Sequence, residues 1–377
     1  MRCLRRRLCR CLSLIRGIYI HIPFCRHKCN YCDFNSRVSE EYERACYIDA
    51  LCDEIEAFEA CEIDTVYFGG GTPTMLKAEQ IIRVLETVKK HFWITNDCEI
   101  SIECNPATMG EEGFLKLRNA GFNRLSVGMQ SADNQQLKIL GRIHSFKDTK
   151  KCIEDAKKAG FDNISVDLMF GLPNQDKESF IQSVSAAIAL NTNHISCYAL
   201  KIEEGTPFYD MDLKIADDDQ SFEMYEECVK LLKENGFTRY EISNFAKEGY
   251  ESRHNKKYWL CNDFAGFGAG AYSCINGVRY SNITDVQKYI EATDKTAEKI
   301  RVSKEDMMSE FVFLGLRLGD GISVTEFSDR FSEDIFDVFK DAINKNLARG
   351  TLVRERERIK IPEKYMYVSN SIMVDFV

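Results

Sequence analysis

Three cysteines near the start of the chain constrain its fold and chemistry more than any other feature. Cys25, Cys29 and Cys32 have the spacing C-x3-C-x2-C and follow a β-rich run at residues 17–22. Three thiolates on one tight loop can bind three irons of a [4Fe–4S] cubane and leave the fourth iron open. An open iron can bind an exogenous amine and carboxylate, which is what the reductive cleavage of S-adenosylmethionine (SAM) requires.

Two other interpretations of these cysteines compete with the cluster. A structural zinc ion prefers four ligands, and His21 or His27 could complete such a set. The chain contains 16 cysteines, so three of them could also lie together by chance. The context favours the cluster, because a G-G-G-T-P turn at residues 69–73 follows the next predicted strand. The cysteines outside the motif stand singly in apolar contexts and are expected to be core residues.

Size, composition and charge exclude several classes of protein. The chain has 377 residues, of which 44% are hydrophobic and 29% are charged, as in ordinary globular proteins. A formal net charge of −9 argues against general binding of nucleic acids, whose phosphates attract basic surfaces. No apolar run reaches the roughly 18 residues that a membrane-spanning helix needs, and we expect a cytoplasmic protein.

The first sixteen residues differ in composition from the rest of the chain. They include six arginines and no acidic residue, and they lack the apolar core of a secretory signal. We expect residues 1–16 to be an Arg-rich extension that is disordered, with translation from an upstream start codon and an organellar transit peptide as the alternatives.

Short β-rich runs alternate with amphipathic helical patterns through residues 17–245. The strands are predicted at residues 17–22, 64–69, 99–104, 124–129, 163–169, 194–200 and 238–243. Their apolar character looks mostly continuous, which is typical of parallel strands that are covered on both faces. The alternation predicts an α/β fold with parallel βαβ units. We expect a partial (β/α)6 TIM-like barrel, with its functional groups at the carboxyl ends of the strands.

The pattern changes after residue 245. Residues 246–302 look irregular and form a predicted connecting region. Residues 303–377 show three helical patterns followed by a hairpin at 351–354 and 358–361. This order predicts a small helical, winged-helix-like C-terminal domain, in which frequent Asp and Glu favour a packing or lid role over DNA binding.

The motifs as a set resemble those of the radical SAM superfamily and, within it, the HemN and HemW group of proteins like oxygen-independent coproporphyrinogen III oxidase. The resemblance covers residues 17–377 and implies a radical SAM core barrel at 17–245 and a HemN-like domain at 303–377. It rests on Y-I-H-I-P-F-C at 19–25, G-G-G-T-P at 69–73, E-C-N-P at 103–106, S-V-G-M-Q-S at 126–131, D-L-M-F-G-L-P at 167–173, Y-E-I-S-N-F-A at 240–246 and S-R-H-N-K-K-Y-W at 252–259.

The resemblance also implies a [4Fe–4S] cluster on the three cysteines and a set of SAM-binding residues. Glycines of the turn at 69–73 let the backbone approach a ligand and offer amide groups to it. The implied SAM contacts are Tyr19, Tyr31, Gly70, Gly71, Thr72, Glu103, Gln130, Arg142 and Asp167. Any one of the polar residues among them could instead be an ordinary strand-end cap, but their joint order favours binding.

Two departures separate this chain from the oxidase branch of the group. That branch has a further cysteine two residues after the third cluster cysteine, where this chain has Phe34. It also has an N-terminal extension that helps to bind substrate, whereas sixteen residues precede Gly17 here. The resemblance therefore implies a HemW-type haem chaperone. The alternative is coproporphyrinogen III dehydrogenase, an enzyme activity that we expect this chain to lack.

As a chaperone of that type, the protein would carry haem as cargo and pass it to haem-accepting proteins, membrane-bound ones among them. The resemblance further implies a flavodoxin- or ferredoxin-type electron donor, and it is compatible with a homodimer. His254, in S-R-H-N-K-K-Y-W, is the candidate haem contact, because imidazole binds iron and Tyr258 and Trp259 could stack on the macrocycle. The alternatives are that His254 is an ordinary hydrogen-bonding histidine and that the Cys261 thiolate binds the iron.

Overall fold

The computed structural model describes residues 17–377, so the predicted extension at 1–16 lies outside the described residues. The strands, numbered in chain order, are β1 (Gly17–Ile22), β2 (Glu62–Gly70), β3 (Trp93–Cys104), β4 (Arg124–Gln130), β5 (Asn163–Phe170), β6 (His194–Ala199), β7 (Thr238–Arg239), β8 (Asn244–Ala246), β9 (Phe264–Phe267), β10 (Tyr272–Ile275), β11 (Val278–Asn282), β12 (Thr296–Arg301), β13 (Ile322–Ser323), β14 (Val353–Glu355) and β15 (Arg358–Lys360).

The helices alternate with the strands through the first half of the chain and dominate the last quarter. They are α1 (Glu41–Ala57), α2 (Ala78–His91), α3 (Glu111–Ala120), α4 (Asn134–Ile139), α5 (Phe146–Lys158), α6 (Lys177–Ala189), α7 (Asp218–Glu234), α8 (Arg253–Trp259), α9 (Val286–Glu291), α10 (Lys304–Gly315), α11 (Val324–Phe331), α12 (Ile335–Val338), α13 (Lys340–Arg349) and α14 (Asn370–Met373).

One twelve-stranded sheet organises most of the described chain, in the order β12-β11-β10-β9-β1-β2-β3-β4-β5-β6-β8-β7. Its strands β1 to β6 pair in parallel and in sequence order, each joined to the next through at least one helix. Parallel neighbours place all their carboxyl ends at one edge. The predicted α/β fold with six parallel strands is confirmed, and this edge is where a site is expected.

The expectation of continuous apolar strands is wrong, because the strands alternate. On β1, Ile18, Ile20 and Ile22 are fully buried and belong to the main hydrophobic core. The intervening positions of the strands carry polar side chains. These include Ser101, Arg124, Ser126, Ser165, His194 and Ser196, all of them buried. The apolar face packs on the helices, and the polar face encloses a cavity, which is why both faces are covered but only one is apolar.

The predicted connecting region at 246–302 is more regular than the sequence pattern indicates. Strand β9 pairs in parallel with β1, and β10, β11 and β12 continue the same sheet in antiparallel fashion. Partly buried Glu54 of α1 holds this part in place by accepting from the Gly268 backbone and from the Asn282 and Tyr289 side chains. The sheet therefore extends beyond the six expected strands.

Residues 303–377 form a smaller unit with its own buried core, which includes Phe311, Phe327 and Ile359. Its sheet has the order β13-β15-β14, and β14 with β15 forms a hairpin close to the predicted position. The unit is joined to the barrel where Gly319 N donates to Tyr240 O (2.9 Å). Among residues 17–377, no helix combines the length and the apolar character needed to cross a bilayer.

Candidate functional site

The three motif cysteines lie on the loop after β1, at the carboxyl edge of the parallel strands. Backbone hydrogen bonds fold this loop tightly, since Cys25 N donates to Arg37 O (2.9 Å) and Cys32 N donates to Cys29 O (3.2 Å). All three cysteine side chains are partly exposed and line one cavity of about 320 Å³. The loop thus presents three thiols to a common space.

The spacing of the thiols bears on the kind of metal group that they could hold. Among residues 17–377, no three His, Cys, Asp or Glu side chains lie close enough together to ligate a single metal ion. In a cubane cluster each thiolate binds a different iron, so the sulfurs stand farther apart than the ligands of one ion. His21, a candidate fourth zinc ligand, has its ring nitrogens paired with the Tyr19 hydroxyl and with Asn35 O. The donor set therefore fits a [4Fe–4S] cluster better than zinc.

The same cavity collects most of the predicted SAM contacts. Its wall includes Tyr31, Gly70, Gly71, Thr72, Glu103, Gln130, Arg142 and Asp167. Tyr19 is not part of that wall, because its hydroxyl pairs with His21 Nδ1 (3.0 Å) and its ring stacks on Tyr67. Tyr67 takes the cavity-lining position in its place. The structure thus brings together the cysteines and every predicted SAM contact except Tyr19.

The glycine turn after β2 lies directly against the cysteine loop. Gly71 N donates to Ile22 O (2.9 Å) and Thr72 N donates to Phe24 O (2.8 Å), which ties the turn to the end of β1. A Cβ atom on Gly71 would lie 2.8 Å from Phe24 O and 3.0 Å from Cys25 Sγ, so no larger residue fits there. The turn is glycine-rich because two backbone segments and a cysteine meet at this point.

Glu103 and Asp167 are the carboxyl groups of the cavity wall. Tyr67 donates to Glu103 Oε1 (2.9 Å), and Ser126 donates to Asp167 Oδ1 (3.2 Å). Burial outweighs these hydrogen bonds and, helped by the charge of Asp167, raises the pKa of Glu103 to about 7. Burial likewise raises the pKa of Asp167 to about 6. A cationic ligand in the cavity would stabilise both ionised carboxylates.

The backbone is strained where β4 ends. Gln130 has a φ of +64°, in the left-handed region that non-glycine residues rarely adopt. The pairing of β4 with β5 also shifts register between Val127 and Gln130. Bulges and strained residues concentrate near functional sites because they redirect a side chain. Here they accompany the placement of Gln130 in the cavity wall.

Arg142 reaches the cysteine loop from the segment after α4. Its Nη1 donates to Cys29 Sγ (3.7 Å), and its Nη2 donates to Asn105 Oδ1 (2.5 Å) and Gly128 O (2.6 Å). On the other side of Asn105, Nδ2 donates to Thr72 Oγ1 (2.7 Å). Both predicted SAM residues, Thr72 and Arg142, are therefore held by one side chain that the sequence reasoning did not select.

His254, the predicted haem contact, lies at the opposite end of the strands from the cysteines. It is 1% exposed, with Nδ1 paired to Thr65 Oγ1 (2.9 Å) and Nε2 paired to the Tyr258 hydroxyl (2.8 Å). Burial lowers its pKa to about 3, so the ring is neutral. Neither nitrogen has a free lone pair for iron unless these contacts break, and this geometry favours the hydrogen-bonding alternative. Burial raises the pKa of Cys261 to about 12, which disfavours the thiolate that iron would need.

Several cavity-lining residues were not predicted from the sequence. They include Tyr67, Asn105, Arg124, Ser126, His194, Ser196 and Tyr198. Most of them occupy alternate positions of a strand whose other positions are apolar. A strict count of period-two alternation in each predicted strand could have found them.

Comparison with known proteins places this architecture in a family. A model of the radical SAM superfamily matches residues 19–187, and a model of the HemN C-terminal domain matches residues 302–367. Among solved structures, coproporphyrinogen III oxidase (HemN) from Escherichia coli, described as a radical SAM enzyme, superimposes with a TM-score of 0.86. At 23% identity, it covers 100% of this chain and 93% of its own. This likeness shows the fold.

Curated relatives are closer in sequence. The heme chaperone HemW of Lactococcus lactis is 34% identical over 95% of this chain and 96% of its own length. The Bacillus subtilis HemW is 36% identical over 91% and 94%, and the Escherichia coli HemW is 32% identical over 96% and 98%. Identity at this level over nearly the full length of both chains shows that this protein belongs to the HemW family of radical SAM proteins.

Proposed function

We propose that this protein is a cytoplasmic haem chaperone that holds a [4Fe–4S] cluster on Cys25, Cys29 and Cys32 and SAM in the adjoining cavity. The observation that carries the proposal is its identity of 32–36% over nearly the full length of proteins named heme chaperone HemW. The three thiols around one cavity, with Phe34 in the position of a fourth cysteine, agree with it.

The cavity wall supports the SAM part of the proposal. When bound, a cluster of this type supplies one electron and an open iron that can bind the amine and carboxylate of SAM. The turn at Gly70 and Gly71 brings backbone close to the cysteine loop, where its polar groups can meet a ligand. Glu103 and Asp167 would favour the cationic ammonium and sulfonium groups, and Arg142 would favour the carboxylate.

Haem cargo requires an accessible iron ligand, and the described histidines differ in this respect. His27 is exposed and makes no hydrogen bond, unlike the other histidines of residues 17–377. It lies on the cysteine loop and lines the same cavity as Phe34, a residue that is 61% exposed. Arg26 and Lys28 flank it with positive charge that could pair with haem propionates. We therefore favour His27 over His254 as the haem ligand.

The proposed protein partners are an electron donor, haem-accepting proteins and a second copy of this chain. A flavodoxin- or ferredoxin-type electron donor is acidic as a rule, and the exposed Arg26 and Lys28 beside the cluster cysteines support docking there. Transfer of haem to acceptor proteins, membrane-bound ones included, and formation of a homodimer complete the proposal.

Haem titration under anaerobic conditions tests the chaperone and its ligand together. The wild type should bind one haem per chain with a shifted Soret band, and His27→Ala should weaken binding by tenfold or more. His254→Ala is the matched control, and it should lower stability while leaving haem affinity within about twofold. Equal loss in both variants, or loss in His254→Ala alone, contradicts the His27 assignment; absence of a wild-type complex contradicts the chaperone.

The second candidate function is oxygen-independent coproporphyrinogen III dehydrogenase. It is considered because the fold matches that of HemN closely. The reconstituted protein should be incubated anaerobically with a reductant, SAM and coproporphyrinogen III. We expect no protoporphyrinogen IX above the background of a protein without cluster. Stoichiometric or catalytic formation of protoporphyrinogen IX would replace the chaperone by the enzyme.

A further inference from the structure

Two of the three motif cysteines lie within hydrogen-bond distance of a neighbouring side chain. Thr72 Oγ1 lies 3.4 Å from Cys25 Sγ, and Arg142 Nη1 donates to Cys29 Sγ across 3.7 Å. Both distances are reasonable for sulfur, whose radius exceeds that of oxygen. The two donors come from different elements, since Thr72 follows β2 and Arg142 follows α4.

Asn105 joins these two donors into one chain. Its Nδ2 donates to Thr72 Oγ1 (2.7 Å), and its Oδ1 accepts from Arg142 Nη2 (2.5 Å). Because Thr72 Oγ1 already accepts from Asn105, its own hydrogen is left to point at the sulfur of Cys25. Arg142 is thus the common donor of two branches, one directly to Cys29 and one through Asn105 and Thr72 to Cys25.

An independent observation supports this arrangement. A Cβ atom placed on Gly128 would lie 2.8 Å from Asn105 Oδ1 and 2.9 Å from Arg142 Nη2. Only glycine therefore leaves room for the Asn105–Arg142 pair, which also binds the carbonyl of Gly128 (2.6 Å from Arg142 Nη2). The hydrogen bonds around Asn105 and Arg142, and not the strand geometry, therefore explain why S-V-G-M-Q-S has a glycine at position 128.

We infer that Asn105 is a positioning residue that aims Thr72 and Arg142 at two cluster thiolates and thereby raises the reduction potential of the cluster. Reduction adds negative charge to the cluster and its sulfur ligands, so donors to the sulfurs stabilise the reduced state more than the oxidised state. An amide is suited to this position because it donates to one partner and accepts from the other. The inference rests on the proposed cluster at Cys25, Cys29 and Cys32.

The test is an anaerobic EPR-monitored redox titration of the [4Fe–4S] protein without SAM or haem. Asn105→Leu keeps the approximate volume and removes both hydrogen bonds. We expect its cluster to be harder to reduce by at least about tenfold in the equilibrium constant, which is about 59 mV for one electron. Ser165→Ala is the matched control, because it removes a hydrogen bond in the same cavity wall, to His194, without reaching a cysteine. Its potential should equal that of the wild type.

Two further variants keep the inference testable if Asn105→Leu does not hold iron. Thr72→Val removes only the donor to Cys25 and should give a smaller shift in the same direction. Gly128→Ala should do likewise by separating Asn105 from Arg142. A loaded Asn105→Leu cluster with the wild-type potential overturns the role of Asn105, as do unshifted potentials in both further variants. If the wild-type protein binds no iron and sulfide, the proposed cluster is wrong. That outcome is distinct from a cluster whose potential does not depend on Asn105.

Discussion

The two ends of the parallel strands carry similar polar side chains but use them in opposite ways. At the amino end, Glu99 accepts from the backbone N–H groups of Arg253 (3.1 Å) and His254 (3.0 Å), which caps the start of α8. Lys257 pairs with Asp64 (2.7 Å) beside it. At the carboxyl end, Glu103 accepts from Tyr67 and Asp167 accepts from Ser126, yet both carboxyl groups line the cavity. Contacts with α8 make the residues of the first end structural, whereas the carboxyl groups of the second end line a cavity that a ligand can enter.

This difference between the two ends explains why the S-R-H-N-K-K-Y-W motif, taken as sequence, is compatible with both a structural and a ligand-binding role. Its histidine, lysine and tyrosine are residue types that bind cofactors, yet here they join α8 to the amino ends of β2 and β3. A polar motif indicates a ligand only when the fold places its polar groups on the wall of a cavity.

Loss of the cluster is the strongest test of the carboxyl end. Cys29→Ala should abolish the four-iron EPR signal and lower the iron content to near zero, because a cubane needs all three thiolates. Cys46→Ala, at another partly exposed cysteine, is the control and should retain both. Far-UV circular dichroism should be unchanged in both variants. A full iron complement in Cys29→Ala contradicts the site.

Removing Glu99 is the corresponding test of the amino end. Glu99→Ala leaves the buried N–H group of His254 and the partly buried N–H group of Arg253 unpaired, and should lower the free energy of unfolding by roughly 2–4 kcal/mol. Glu103→Gln at the other end should instead leave the ligand-free protein as stable or stabilise it by roughly 1 kcal/mol at pH 8, because the ionised carboxylate is costly to bury. Urea denaturation of ligand-free protein measures both. Equal destabilisation by the two changes would remove the distinction between the ends.

The pH dependence of SAM binding sharpens the same distinction. The folded pKa values of Glu103 (about 7) and Asp167 (about 6) lie above their unfolded values, so the native state holds these protons more tightly. Their contribution to stability is therefore largest below pH 4 and is lost as the pH rises to 7. A cationic ligand favours the ionised forms, so SAM affinity should fall by about tenfold from pH 8 to pH 6. Anaerobic calorimetry measures the affinity, and Glu103→Gln should flatten the profile.

The smallest expected effect concerns a single hydrogen bond at the amino end. Thr65→Val removes the hydroxyl that pairs with His254 Nδ1 and should cost about 1 kcal/mol of unfolding free energy. Cluster content and SAM affinity should not change, because the contact lies at the other end of the strands. A changed cluster signal in this variant would show that the two ends are coupled.

Much of the fold could be predicted from the sequence because its signals are local. Runs such as 17–22 and 163–169 lie within one or two residues of β1 and β5. Gly121 and Gly160, the glycines that follow α3 and α5, have positive φ, which is typical of a glycine just after a helix. The cysteine spacing, the glycine turn and the acidic strand ends likewise identified most of the cavity wall, because each stands at a fixed offset from a strand.

Tertiary structure alone decided which polar groups were already paired. The sequence places Tyr19 next to the cysteine motif and His254 in a polar motif, but pairing with His21 and Thr65 removes both from the ligand cavity. Conversely, Asn105 gains its importance only from contacts with Thr72 and Arg142, residues 33 and 37 positions away. Hydrogen bonds between distant segments depend on how strands and helices pack, and no local pattern of residues encodes that packing.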